Sequence, residues 1–518
     1  MNKLTYQIFQ SNIVSFLPEF FLSFCLLLVL LYGSFYVVKA TRLYTYIIPS
    51  ICRLTLVSLV LSLILACNNP VINQVLWCGF FLSDCLSVYL KPFVIVVMFF
   101  CVLVSKEYFL IAKIRTFEIF VFFIGICLGL CLLISAYDIL SIYLSIEFLS
   151  LILYTLAALK KDSGFSAEAS LKYFILGSLA SVFFLFGSSL IYFTVGSTNL
   201  GCLTLLFENI NLSEYQRLLK HGLIHGSHFV WIMFTPSILL YSGLVLLGSS
   251  LLFKLGAAPY HLWVADVYEG APTLVSLIFA SVPKLAILIV ICRIALVSSM
   301  SFFSFLWRPL FFFCGILSLI VGCLGGLNEI KIKRLFAFSG ISHVGFLCLS
   351  LSCSSIESLQ AMFFYLIIYI LTTVFMWNYV LCLNPAQKKW LSLVDTVGIA
   401  QSNPIFALLI CFMTFSLAGI PPFGGFFSKV FVFIALIDHL SFYAVFVAII
   451  TSVLSAFYYL RIIKIIFFEK SQTWIFFNFL SKNQAIVLGL TSFIVLFFIL
   501  NPNIIYLLTY KLGLSLFF

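Results

Sequence analysis

Charge is scarce in this sequence. Only 9% of its 518 residues are charged, while 64% are hydrophobic and the mean hydropathy is +1.22. A soluble protein of this length could not hide so much apolar surface, so a soluble domain is excluded. The alternation over about ten residues that marks a membrane barrel is also missing. Apolar stretches of about 20 residues or more, parted by short polar breaks, are instead the dimensions of spanning helices. The sixteen cysteines include no C-x-x-C pair. Cys127 and Cys131, or Cys348 and Cys353, are too isolated to build a cluster or a zinc site, and they read as core packing. Iron–sulfur or flavin chemistry would then have to lie on another chain. The N-terminus has neither the small-residue cleavage site of a secretory signal nor the Arg/Ser-rich bias of a transit peptide. With 61 Phe, that would suit a protein made inside an organelle from an AT-rich genome. The net charge of +11 comes without a basic, aromatic-interleaved patch, so it does not point to nucleic acid.

What is present is a continuous membrane domain. Length divided by segment spacing predicts an all-α polytopic protein of about 14 transmembrane helices. The basic residues alternate between loops. Odd loops hold Lys39 and Arg42, then Lys106, Lys113 and Arg115, then Lys160 and Lys161. Further on they hold Lys331, Lys333 and Arg334, then Lys388 and Lys389, then Arg461, Lys464, Lys470 and Lys482. Even loops hold chiefly Arg217, Lys220 and Arg308. By the positive-inside rule the odd loops face the cytoplasm or matrix, and both termini face the other side.

Two spans are interrupted. The seventh, at about 235–266, contains Leu255-Gly256-Ala257-Ala258-Pro259; the twelfth, at about 403–437, contains Leu417-Ala418-Gly419-Ile420-Pro421-Pro422. Proline removes a backbone donor and clashes with the preceding turn, so both helices should break near mid-membrane. Broken backbone at that depth survives only where it is buried in protein or lines a wet cavity. The breaks lie five spans apart, which suggests two five-span units, spans 4–8 and 9–13; an odd-numbered unit repeated in one chain must be inverted. The expected division is about 1–115 for three N-terminal helices, 116–300 and 301–470 for the two repeats, and 471–518 for span 14 at about 484–508.

Ionisable residues within these spans are the functional candidates, because a charge at the bilayer centre costs about 2.5–3.5 kcal/mol even on lenient scales. Lys254 ends the first half of span seven, where unwound carbonyls and a negative helix end would favour its ammonium. Lys284 follows Ser281-Val282-Pro283 in span eight, and Lys429 follows the break in span twelve. Apolar residues extend both ways from all three, so snorkelling to the surface is hard. Lys91 is read as snorkelling from a helix end, and Lys172 as either snorkelling or functional. Glu147 is the one carboxylate well inside the first half, and a Glu147–Lys254 pair could switch a lysine's proton on or off: desolvation favours neutral lysine, and a nearby carboxylate favours the charged form. A pair about 4 Å apart interacts by about 4 kcal/mol at an effective dielectric near 20, or about three pKa units. His261 and His343 suit either a relay or quiet packing against a carbonyl. A Na⁺ site needs several oxygen ligands, and lysine at the critical places favours protons. In the polar insertion at about 197–230, His221, His225 and His228 would align on one helical face, as a metal site or as a solvated loop helix.

The run Phe253-Lys254-Leu255-Gly256-Ala257-Ala258-Pro259-Tyr260-His261-Leu262-Trp263, followed by Asp266-Val267-Tyr268-Glu269-Gly270-Ala271-Pro272-Thr273, resembles the antiporter-like subunits of respiratory complex I. So do Ile332-Lys333-Arg334-Leu335-Phe336-Ala337-Phe338-Ser339 with His343, Leu417 to Pro422 leading to Lys429, Glu168 to Tyr173, and Ile134 to Asp138. The resemblance covers nearly the whole chain. It implies two inverted five-helix repeats, discontinuous helices 7 and 12, and a buried hydrophilic axis. On that axis Glu147 and Lys254 would be the ion pair, Lys284 the central relay and Lys429 the gate, with Lys172, His261 and His343 connecting them. Lysine at 429 departs from the family's subunit 4, which usually has Glu there, and the span count leaves no room for the lateral helix of its subunit 5.

The implied function is proton translocation in the membrane arm of NADH:ubiquinone oxidoreductase. No cofactor would bind this chain; NADH, FMN, iron–sulfur clusters and ubiquinone would sit on partner subunits. Partners would be other membrane-arm subunits and lipids such as cardiolipin, in the mitochondrial inner membrane with both termini on the intermembrane-space side. The rivals are a cation/proton antiporter of the same fold and a non-pumping structural subunit of the arm.

Overall fold

The computed structural model describes residues 12–39, 44–71, 73–112, 116–160, 163–209, 227–297, 304–383, 391–469 and 480–516. Among these, eleven helices are long and apolar enough to cross a membrane. Three shorter apolar helices, Leu239–Leu255, Pro404–Ala418 and Lys482–Leu496, stand where spans 7, 12 and 14 are expected. Every expected span therefore has a helical counterpart.

Three helices, α1 (Leu17–Lys39), α2 (Tyr44–Cys67) and α3 (Cys85–Ile111), lead into α4 (Glu118–Ser135), α5 (Ile139–Ala157) and α6 (Gly164–Val195). One short strand pair, β1 (Gln74–Leu76) and β2 (Phe81–Ser83), links α2 to α3 with Val75 opposite Leu82; the all-helical expectation did not include it. Asp84, just after the hairpin, caps α3 by accepting from Ser87 N at 3.0 Å, and its carboxylate holds Arg293 at 2.9 Å. Within the polar insertion, α7 (Leu200–Asn209) is helical, and the described residues from Ser227 on begin the next helix. His221 and His225 lie outside the described residues, as does the side chain of His228.

Span 7 consists of α8 (Ser227–Leu255) and α9 (Leu262–Gly270), and span 8 of α10 (Thr273–Ala280) and α11 (Val282–Val297). The interruption in span 8, at Ser281, adds a third break to the two expected ones, next to Pro283. Then follow α12 (Ser304–Asn328), α13 (Ile332–Cys353), α14 (Ile356–Leu383), the short α15 (Ile399–Ser402), the halves of span 12, α16 (Pro404–Ala418) and α17 (Gly424–Asp438), and α18 (Phe442–Phe468). Span 14 is shorter than expected: α19 (Lys482–Leu496) ends in a 3-10 turn, Phe497–Leu500, before Pro502, and α20 (Asn503–Leu514) packs separately against α14. Proline at 502 cannot continue the helix it follows.

The same device makes both central breaks. In α8, Gly256 N reaches Phe253 O at 3.0 Å and Ala257 N reaches Leu252 O at 3.1 Å, with Gly256 at φ +75°. In α16, Gly419 N reaches Ser416 O at 3.1 Å and Ile420 N reaches Phe415 O at 3.1 Å, with Gly419 at φ +83°. These paired bonds close a helix through a left-handed residue that glycine adopts without a Cβ penalty. Pro259 and Pro422 follow three residues later, each after a cis bond. The two repeats interlock where α9 packs on α13 and α10 packs on α14. Spans 8, 10 and 11 are thereby the most enclosed of the bundle. Close approach is set by glycine: an added Cβ on Gly322 of α12 would stand 2.8 Å from Phe338 O of α13, and one on Gly187 of α6 would stand 2.7 Å from Gly243 O of α8. Small residues at such crossings are how apolar helices pack tightly without a hydrophobic drive between them.

Candidate functional site

The site is a line of polar groups crossing the seam between the repeats. At its first end, Glu147 on α5 accepts from Ser150 Oγ at 3.3 Å, and its other oxygen has no hydrogen-bond partner among the described residues. Ser150 also lines a cavity of about 30 Å³ with Lys254, Tyr173, Trp263, Phe279 and Pro283. That volume has room for ordered water. The Lys254 ammonium lines it, 5.9 Å from the Tyr154 ring centroid, and makes no hydrogen bond among the described residues. Among the described residues no ion pair joins Glu147 to Lys254; Ser150 stands as the group common to both. Nor does Lys254 rest on the end of its own helix as expected. That place is taken by Trp263, whose indole donates to Phe253 O at 3.1 Å.

Pro283 carries the line past the Ser281 break to Lys284, which is buried and donates to Tyr369 Oη of α14 at 2.8 Å. This bond crosses from the first repeat to the second. Gly340 of α13 leaves the room for it, because an added Cβ would stand 3.3 Å from both Lys284 Nζ and Tyr369 Oη. Beyond it, Tyr369, His343 and Lys429 line one cavity of about 10 Å³, close to the space a single water needs. His343 is buried between two phenols, with Nδ1 2.6 Å from Tyr365 Oη and Nε2 3.2 Å from Tyr459 Oη.

Lys429 closes the line. Its ammonium donates to Ala418 O at 2.7 Å, the carbonyl that ends α16. The ammonium thus sits at the negative end of a half-helix, the arrangement the sequence suggested for Lys254. The chain doubles back tightly to allow it. Gly425 N donates to Ser416 Oγ at 3.2 Å, and a Cβ on Gly425 would collide with Ser416 O. Gly425→Ala should therefore destabilise this turn by about 1–3 kcal/mol or more, since the opposing atom is backbone that cannot step aside. Less assembled protein and a lower midpoint of thermal unfolding are the expected readouts; wild-type stability would refute the packing. Tyr369→Phe should leave folding intact but lower pumping severalfold, because Lys284 loses its one protein partner, a loss worth about 1–3 kcal/mol. Pumping at the wild-type rate would remove Tyr369 from the line.

Two expected members lie elsewhere. Lys172 is part of an exposed ion network, paired with Glu168 at 2.8 Å and Asp266 at 2.9 Å. Asp266 also holds Arg334 at 2.9 Å, Arg334 pairs with Glu269, and Lys331 reaches Glu269 at 2.7 Å. Nearby in the α5–α6 turn, burial holds the Lys160 ammonium below the usual lysine value. This network fastens α9 to α6 and α13 at the basic-loop end of the bundle, away from the buried line. His261 lies in the first break, half-buried, with Nδ1 unpartnered in the protein. Lys91 corrects its expected role outright. It does not snorkel but is buried in an ion pair with Glu19 of α1, beside α4, which packs on both α1 and α3. Tyr365, Tyr369 and Tyr459 were not anticipated; the signal available was the i, i+4 spacing of Tyr365 and Tyr369, which puts both hydroxyls on one face of α14.

A family model described as "NADH:quinone oxidoreductase/Mrp antiporter, TM" matches residues 136–455. Broken helices and buried lysines thus define a membrane subunit of the antiporter-like class. The NADH-ubiquinone oxidoreductase chain 2 of Marchantia polymorpha is 33% identical over 509 residues, covering 98% of this chain and 99% of that one. On that identity and coverage, this chain belongs to the NADH-ubiquinone oxidoreductase chain 2 family. A chain of the respiratory complex I from Thermus thermophilus superposes with a TM-score of 0.73 at 27% identity, covering 94% of this chain and 98% of that one. A chain of the Mrp complex from Dietzia sp. superposes with a TM-score of 0.78 at 18% identity and 98% coverage of both, which shows a common fold.

Proposed function

We propose that this chain translocates protons in the membrane arm of an NADH:quinone oxidoreductase. The observation that carries the reading is the Lys284–Tyr369 bond, which joins the buried charges of one repeat to those of the other. A scaffold would not need several uncompensated ammonium groups at depth, given the cost of each. The division at 116–300 and 301–470 is part of this proposal: each repeat supplies one glycine–proline break, at Gly256 or Gly419, and one half of the line.

In this scheme Glu147 biases Lys254 through Ser150 and the cavity they share. Lys284 holds a proton against Tyr369, and its release passes toward His343 and Lys429. Both His343 nitrogens face phenols, so a proton taken at one can be matched by one given from the other. NADH oxidation and quinone reduction take place on other subunits, which hold the NADH, FMN, iron–sulfur clusters and ubiquinone. Enzyme activity is therefore a property of the whole complex. Loop charge supports termini on the side opposite the basic loops, which is the intermembrane space if the membrane is the mitochondrial inner one.

The antiporter reading keeps a specific support, the fold shared with the Mrp complex. Purification separates the two. Co-isolation with NADH:quinone oxidation is expected; isolation alone, with ion exchange in liposomes and no NADH oxidation in any assembly, would refute the proposal.

A further inference from the structure

We propose that a pocket at the ends of α12, α13 and α17 binds the phosphate of an anionic phospholipid. The pocket holds about 210 Å³ and is lined by Arg308, Phe312, Ser352, His439 and Ser441, among others. It belongs to none of the groups on the proton line. Arg308 lies in the first turn of the apolar span Trp307–Asn328, the level at which a span meets phospholipid headgroups. Its Nε donates to Ser354 Oγ at 3.0 Å, which orients the guanidinium; among the described residues its terminal nitrogens meet no hydrogen-bond partner. A planar fork of donors held in this way suits phosphate oxygens.

Three further observations converge on an anion with an apolar body. The 27-residue helix α18 begins at Ser441 with no side-chain cap on its first amides, so its positive end faces the same pocket. The His439 ring, which also lines the pocket and has no hydrogen bond among the described residues, supplies a second donor. The charge lies against a lipid-like surface. Leu440 is 75% exposed, and Phe442, Phe446 and Val453 continue an exposed apolar face down α18. Acyl chains would lie along that face while the phosphate meets Arg308 and His439.

The test uses the intact complex in nanodiscs, with a trace of phosphatidylglycerol carrying a diazirine near the glycerol end of one chain. After photolysis, adducts are expected on the peptides that contain Arg308 to Phe312 and His439 to Phe446. Arg308→Gln should reduce them about tenfold, the effect of losing one charge-assisted contact, while Arg308→Lys should retain most of the labelling. His439→Gln provides an independent variant should Arg308→Gln fail to assemble. A phosphatidylcholine probe that labels equally, or adducts unchanged in Arg308→Gln or His439→Gln, would overturn the proposal. Loss of labelling in millimolar inorganic phosphate would instead define a free-anion site. No adduct at all would mean that a neighbouring subunit covers the pocket. Either result would also overturn the lipid assignment.

Discussion

Lys91→Met is expected to destabilise the N-terminal segment by about 3–5 kcal/mol, enough to deplete the assembled protein. Glu19 and Lys91 are only 2% and 5% exposed and pair directly beside α4, which packs on both α1 and α3. The aromatic ring of Phe16 lies 6.0 Å from the ammonium, and neither carboxylate oxygen has a further partner. Removing the ammonium leaves a carboxylate in apolar surroundings with nothing to compensate it. Removing both charges does not, so the double variant Glu19→Gln, Lys91→Met should recover most of the loss. The measurement is the yield and thermal midpoint of the assembled complex. A single variant as stable as wild type, or a double variant no better than the single one, would show that the pair is not the buried contact described.

Lys284→Ala should leave assembly intact and lower NADH-driven proton pumping by on the order of 10²-fold, the scale at which positioned proton-transfer groups contribute. Its side chain is buried and bonded to one phenol, and no described secondary-structure contact depends on it. Lys284→Arg is the sharper variant. It keeps a positive charge and a donor for Tyr369, but guanidinium does not deprotonate in proteins. Arg should therefore fail where a purely structural charge would be satisfied. Lys254→Ala should act in the same direction, since Lys254 holds no structural bond to lose.

The parts of the line that could be read directly were those written in local sequence. Gly256 with Pro259, and Gly419 with Pro422, are three-residue spacings that end a helix wherever they fall. Lysine in an apolar run is costly in any fold. What could not be read depended on which helix covers which face. Lys91 looked able to reach the surface because nothing local announces that Glu19 of α1 comes within reach of it. The sequence places Lys254 before its break and Lys429 after it, and suggests the helix-end carbonyl for Lys254; it is Lys429 that reaches one. The tyrosines are the clearest loss: the chain has 24 of them, and only the packing of α11, α13, α14 and α18 selects Tyr365, Tyr369 and Tyr459. The kink at Ser281 was hinted at by Pro283, but a single proline does not say whether a helix bends or parts.

The most direct test of the central claim is the number of protons moved per NADH by the intact complex in sealed proteoliposomes, with Lys284→Arg against wild type. A relay through Lys284 predicts that the assembled variant moves fewer protons per NADH. An unchanged ratio in a correctly assembled variant would contradict it and would take Lys284 off the proton path.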